Sequence, residues 1–156
     1  MLTGFKVIFM FLLVPMSKMK KINVVNFLRN PDNKDIIYPN ETLYTAYDNK
    51  INSFLITNTR LIGVFKLRNR IKIFSIPLFQ LGTLDTFSFK FLKLKAICIT
   101  SSPGYNFYWF FNYDVSMEEL SNEISKVVAD VQISGGSKLN KIFWNKEDNE
   151  VCPPYF

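Results

Sequence analysis

Three sets of residues in this chain carry types and spacings that can do chemistry, and each points to a limited kind. The first is cationic. Lys66, Arg68 and Arg70 fall within one short polar stretch, and Arg68 and Arg70, two apart, leave the same face of an extended strand. Such a cluster attracts phosphates, carboxylates or an acidic lipid surface. The second is the aromatic run 105–111, Tyr-Asn-Phe-Tyr-Trp-Phe-Phe, the kind of surface on which unpaired bases stack when lysines hold the phosphates. The third is Thr57-Asn58-Thr59-Arg60. Asn tolerates unusual φ in a turn and Thr and Asn side chains bond the local backbone. Arg60 therefore reads as a structural fork that caps turn carbonyls or pairs with a carboxylate, in preference to a ligand contact.

Catalytic chemistry is poorly supplied. The chain has no histidine, which excludes Ser-His-Asp and Cys-His nucleophilic sites, imidazole acid–base work and zinc sites that need imidazole. Cys98 and Cys152 are too few for a four-ligand metal site or a disulfide framework, so a reducing compartment is the default. Cys98 stands in an apolar stretch, where a cysteine behaves as a small buried hydrophobe. No glycine-rich phosphate loop is present, and Glu118 and Glu119 belong to a helix start, where acids favour the macrodipole. The expectation is a protein that is not an enzyme, with no cofactor and no metal, in the cytoplasm or peripheral to a membrane.

The elements that must position these residues are legible from patterning. The 156 residues are 48% apolar, 16% aromatic and 21% charged, with a formal charge of +6, enough for one ordered domain with its own core. Short β patterns run over 42–47, 53–57, 61–65, 71–76, 83–91, 96–100 and 105–111, separated by polar turns; in the fifth, Phe87, Phe89 and Phe91 alternate with Ser88 and Lys90. Seven strands of this length and spacing predict an antiparallel barrel or sandwich. A short helical turn at 24–28 and an Asn-Pro-Asp-Asn loop precede them. One amphipathic helix follows, opened by the capping-box pattern Ser116-Met-Glu-Glu119. Met117, Leu120, Ile124, Val127, Val128 and Val131 form its apolar stripe, and Gly135-Gly136 is expected to end it. Before all this, residues 5–14 are almost wholly apolar, with Lys18, Lys20 and Lys21 close behind. Ten residues are about half of a membrane span, so 1–21 is expected to be an anchor, a signal or a mis-set start, outside a domain at 22–136 and a tail at 137–156.

Seven strands closed by a C-terminal helix resemble the pleckstrin-homology (PH) fold, and two local matches sharpen the likeness. Phe54-Leu-Ile-Thr-Asn-Thr-Arg-Leu-Ile-Gly-Val64 resembles the F-T-N-x-R-L-I strand–turn–strand of bacterial PH-like domains. Ile76-Pro77-Leu78-Phe79-Gln80-Leu81 resembles their I-P-x-x-x-I segment between the fourth and fifth strands. The chain departs from the pattern at Leu78, where an aromatic residue is usual, and in the fifth strand, where the usual acid is displaced. The resemblance spans about residues 38–133. It implies a mainly β, PH-like seven-stranded barrel or sandwich capped by one α-helix, acting as a non-catalytic binding module that tends to self-associate.

The resemblance also implies a place for the cations. Three loops of the PH fold share one open end, and here they would carry Lys50, then Lys66, Arg68 and Arg70, then Ser101 and Ser102, the candidate anion-binding set. Between residues 49 and 113, Asp85 is the lone acid against Lys50, Arg60, Lys66, Arg68, Arg70, Lys72, Lys90, Lys93 and Lys95. Solvated turns and edge strands guarded against pairing explain much of this charge on their own, and Asp48 in the first loop works against a phosphate. The expected partners are a protein or further copies of the chain, with weak contact to an anionic membrane surface as a second mode. Single-stranded nucleic acid is the alternative. It is disfavoured because the aromatics of 105–111 occupy both faces of their strand, which fits burial between barrel and covering helix, and because an oligonucleotide-binding barrel has five strands.

Overall fold

The computed structural model describes residues 18–67, 69–102 and 104–144; the apolar run 5–14, Arg68 and the tail from 145 lie outside the described residues. The elements are β1 (Lys20–Ile22), α1 (Val24–Arg29), β2 (Leu43–Asp48), β3 (Asn52–Thr57), β4 (Arg60–Leu67), β5 (Arg70–Pro77), β6 (Leu81–Phe89), β7 (Leu94–Ser101), β8 (Asn106–Asn112) and α2 (Met117–Trp144). Short 3-10 turns at Pro31–Asn33 and Leu78–Gln80 join them. The strands β1-β2-β3-β4-β5 form one antiparallel sheet and β6-β7-β8 a second. The seven strands expected from patterning are β2 to β8.

Alternation sorts each strand between two faces. Tyr47, Phe54, Leu61 and Ile76 of the larger sheet meet Ile97, Ile99, Trp109 and Phe111 of the smaller one, and Leu120, Ile124 and Val127 of α2 close this core. Aromatic edges fix its centre, with Tyr47 5.1 Å from Phe111 and Phe54 4.6 Å from Trp109 between ring centroids. The outer face of the larger sheet is covered by Phe27 of α1 together with Ile36, over Leu55, Ile62 and Val64. At the helix start, the Ser116 hydroxyl accepts the Glu119 N–H at 3.2 Å. The other half of the capping box is diverted, because the Glu119 carboxylate takes the Lys21 ammonium at 2.6 Å.

Four sequence expectations are corrected. Residues 19–21, set aside with the N-terminal segment, are part of the fold. Lys20–Ile22 pairs antiparallel with β2, while Met19, fully buried, donates its N–H to the Phe110 carbonyl and accepts the Asn112 N–H. This strip hydrogen-bonds the edge of one sheet to the edge of the other. A three-residue strand reading Lys-Lys-Ile carries no alternation by which to find it. The helix continues through Gly135-Gly136 to Trp144, since glycine lowers helix propensity by about 1 kcal/mol but does not clash. The fifth predicted strand ends at Phe89, and Phe91 lies in the following turn. Finally, the outward aromatics of β8, Tyr108 and Phe110, pack on Phe87, Phe89 and Leu92 of their own sheet and not under the helix.

Candidate functional site

Arg60 resolves as a structural fork. Its Nε and Nη2 donate to the two Glu41 oxygens at 2.8 and 3.0 Å, and Nη2 also donates to the Ile36 carbonyl at 2.9 Å. The guanidinium lies 4.1 Å from the centroid of the Tyr38 ring. Thr57 and Thr59 hydroxyls donate to Glu41 at 2.7 and 2.8 Å, and Asn58 accepts the Thr42 N–H at 3.0 Å. Burial by itself pushes the Glu41 carboxyl up, but Arg60, Thr57, the Tyr38 N–H and Thr59 outweigh it and hold the group at about 2. The Thr-Asn-Thr-Arg turn is thus a lock between the β3–β4 hairpin and the loop before β2. Sequence reading found the fork but missed its carboxylate, whose signal is the β2–β3 register: Leu43 opposite Thr57 brings Glu41 beside the turn.

The five candidate anion-binding residues that are described are not gathered into one site. Lys50 is exposed in the β2–β3 loop, where Asn49 folds the backbone by accepting the Ile51 and Asn52 N–H groups. Lys66 stands at the same end of the sheet, its N–H on the Ile51 carbonyl at 2.7 Å, but its ammonium is directed to Asn33 at 3.2 Å on the outer face. Arg70 shares the opposite face with Lys72 and Phe74, because Lys66 pairs with Ile71 and the strand alternates. Arg68 lies outside the described residues. Ser101 is buried and Ser102 donates its N–H to the Gln80 carbonyl at 2.8 Å. That bond ties the serines to the turn after Pro77, and Pro77 pairs with Arg60 at the far end of the β4–β5 ladder. Within the aromatic run, Trp109 is 5% exposed and Phe111 fully buried, while Tyr105 at its start is 67% exposed.

What the fold does build is a groove of about 500 Å³ between the mouth of the larger sheet and the edge of β8. Asn52, Phe65, Lys72 and Phe74 line one side, and residues 106–110 the other. Phe74 stacks on Phe107 and Trp109 at 5.5 and 5.7 Å. Directly across the strand, Gly63 leaves room for that ring; a Cβ there would sit 2.3 Å from it. Asn52 Oδ1 is buried with no hydrogen-bond partner among the described residues. A buried acceptor left unmatched costs roughly 1–3 kcal/mol, so a donor arriving in the groove would be welcome. The β8 edge can provide further pairing. Phe110 C=O and Asn112 N–H point away from β7 to reach Met19, and the same alternation turns the N–H and C=O of Tyr108 to that side, which no described strand covers at Tyr108. Neither Asn52 nor Lys72 is marked by a motif.

Two sheets closed at one end by a C-terminal helix, with a loop-lined mouth at the other, are the fold of PH domains, and solved structures share it. A DUF1696 family protein with a pleckstrin-homology domain from Shewanella loihica PV-4 superposes with a TM-score of 0.54 at 16% identity, over 69% of this chain and 98% of that one. A pleckstrin homology domain from Shewanella amazonensis SB2B gives 0.56 at 16% identity, over 76% and 98%. A PH domain containing bacterial protein from Exiguobacterium sibiricum 255-15 gives 0.57 at 13%, over 85% and 77%. The chain matches no family model and no curated protein. The likeness establishes a bacterial PH-like fold. Among the described residues, no helix is long and apolar enough to cross a membrane.

Proposed function

We propose that this chain is a non-catalytic assembly module in which copies associate by pairing an extended segment along the open edge of β8. The observation that carries the reading is the groove itself: an apolar floor of Phe65, Phe74 and Phe107 beside outward main-chain groups at Tyr108, with Asn52 Oδ1 waiting for a donor. Strand addition supplies those needs together, since main-chain bonds give affinity and the apolar pocket selects side chains. A small anionic ligand would use none of them. The test is light scattering behind size-exclusion chromatography over a wide range of protein concentration. The chain is expected to assemble, and Tyr108→Pro, which removes an N–H that points away from β7 and is tolerated at an edge, is expected to leave it monomeric. Asn52→Ala offers a milder second variant that weakens assembly without touching the β7–β8 ladder. A chain that is monomeric throughout, or assembly indifferent to both changes, would overturn the proposal.

A further inference from the structure

The β6–β7 turn presents a second surface, independent of the β8 groove. Its four residues are Lys90, Phe91, Leu92 and Lys93, closed by the Lys93 N–H on the Lys90 carbonyl at 3.2 Å. Leu92 folds back against the outer cluster of Phe87, Phe89 and Phe110. Phe91 does the opposite: its side chain is 99% exposed, between two lysines. A third cation is fixed at the same place, because Lys18 Nζ donates to the Leu92 carbonyl at 3.1 Å.

That last bond is made from the β8 edge: Lys18 precedes Met19, which pairs parallel with Phe111, and its ammonium reaches across to the turn. An exposed aromatic tip and three lysines therefore coincide at one end of the smaller sheet. The acids nearest the turn by register are Asp85 and Asp114. Asp85 pairs with Cys98, four residues down β6 from the strand's end, and Asp114 lines a hollow with Ser88 and Lys95, whose own ammonium is held by the Val115 carbonyl at 2.7 Å.

We infer that this turn is a membrane-contact point, and that its partner is the surface of an anionic lipid bilayer. The tip is convex, so it has no concavity in which to hold a small ligand. A bilayer interface can close around a protruding ring, taking the phenyl group among the acyl chains while lysines stay at the headgroups. One apolar side chain or one basic patch alone gives marginal binding, whereas two signals at one place give stable attachment. The candidate cations described on the larger sheet, Lys50, Lys66 and Arg70, have no part in this contact.

The test is flotation of the full chain with vesicles of phosphatidylcholine alone and with about one-third phosphatidylserine, at low and high salt. The wild type is expected to float with the anionic vesicles and to release in part at high salt. Phe91→Ser should weaken partitioning about tenfold, the order expected for losing a buried phenyl group. Lys90→Gln/Lys93→Asn should lose about fivefold per lysine on anionic vesicles only; asparagine accommodates the left-handed backbone at Lys93, φ 45°. Lys50→Gln/Arg70→Gln should change nothing. Every one of these positions is on an exposed turn or strand end, so melting temperatures should match the wild type. A wild type that does not float with anionic vesicles at low salt, or that floats equally well after the tip changes, would overturn the inference. So would loss of flotation in Lys50→Gln/Arg70→Gln but not in the tip variants.

Discussion

Replacing Glu41 by Gln tests the lock that joins the β3–β4 turn to the loop before β2. The side chain is 2% exposed and its partner Arg60 11% exposed, so solvent screens the pair little. In the folded chain the carboxyl is held at about 2, against an ordinary 4.5: burial raises it, and the bonds from Arg60, Thr57, Tyr38 and Thr59 lower it by more. A folded value below the unfolded one means that the unfolded chain takes up the proton first. The stabilisation is therefore complete well above the unfolded value and disappears as pH falls from about 5 toward 2. The shift of about 2.5 corresponds to about 3 kcal/mol, of which about 2 kcal/mol is gone by pH 3. The Glu41→Gln amide would keep the shape but leave Arg60 without its counter-charge, and removing one partner of a buried pair costs about 3–5 kcal/mol. Urea unfolding of both proteins at pH 7 and pH 3 measures this. The variant should be weaker by about 3 kcal/mol at pH 7, and the gap should narrow to about 1 kcal/mol at pH 3. Equal stabilities at pH 7, or a gap that does not change with pH, would refute the reasoning.

Gly63→Ala should destabilise by roughly 1–3 kcal/mol, because the added carbon meets the Phe74 ring and that ring is held in its stack by Phe107 and Trp109; an unchanged urea midpoint would mean that the ring is free to move. Leu120→Ala, fully buried against the core, should cost roughly 2–5 kcal/mol, whereas Lys126→Ala on the exposed side of α2 should cost close to nothing. Equal midpoint shifts for the two would show that the apolar stripe of α2 does not close the barrel.

The fold was legible wherever side-chain burial imposes a period. Strands β2, β3, β4, β7 and β8 bury much of their length, and in β5 and β6 half-buried or buried Phe74, Ile76, Phe87 and Phe89 alternate with exposed Ser75 and Ser88, so alternation or apolar runs appear in the sequence; the stripe from Met117 to Val131 follows the helical period because α2 must close an open core. The misses share a cause. Strand β1 is held by main-chain bonds to β2 and by Met19 bridging to β8, and hydrogen bonds of the backbone leave no trace in residue type. The continuation of α2 past Gly135-Gly136 likewise depends on backbone energetics that the residue pattern opposes.

The site was less legible, and the reason is geometric. Lys66 and Arg70 are close in sequence and both basic, yet the pleat sends them to opposite faces of the sheet, and Lys66 is already engaged by Asn33. Ser101 and Ser102 read as small loop residues at the mouth, but one main-chain bond to Gln80 fixes them at the other corner. A cluster of charges along the chain becomes a site only when register, face and unspent hydrogen-bonding capacity agree. By that criterion Asn52 qualifies better than any of the five described candidates: it is at the mouth, and its acceptor is unmatched among the described residues. Phe91 is a candidate on different grounds, since its ring is 99% exposed between two lysines. The residues proposed to carry function are the ones whose bonding or burial the fold itself leaves incomplete.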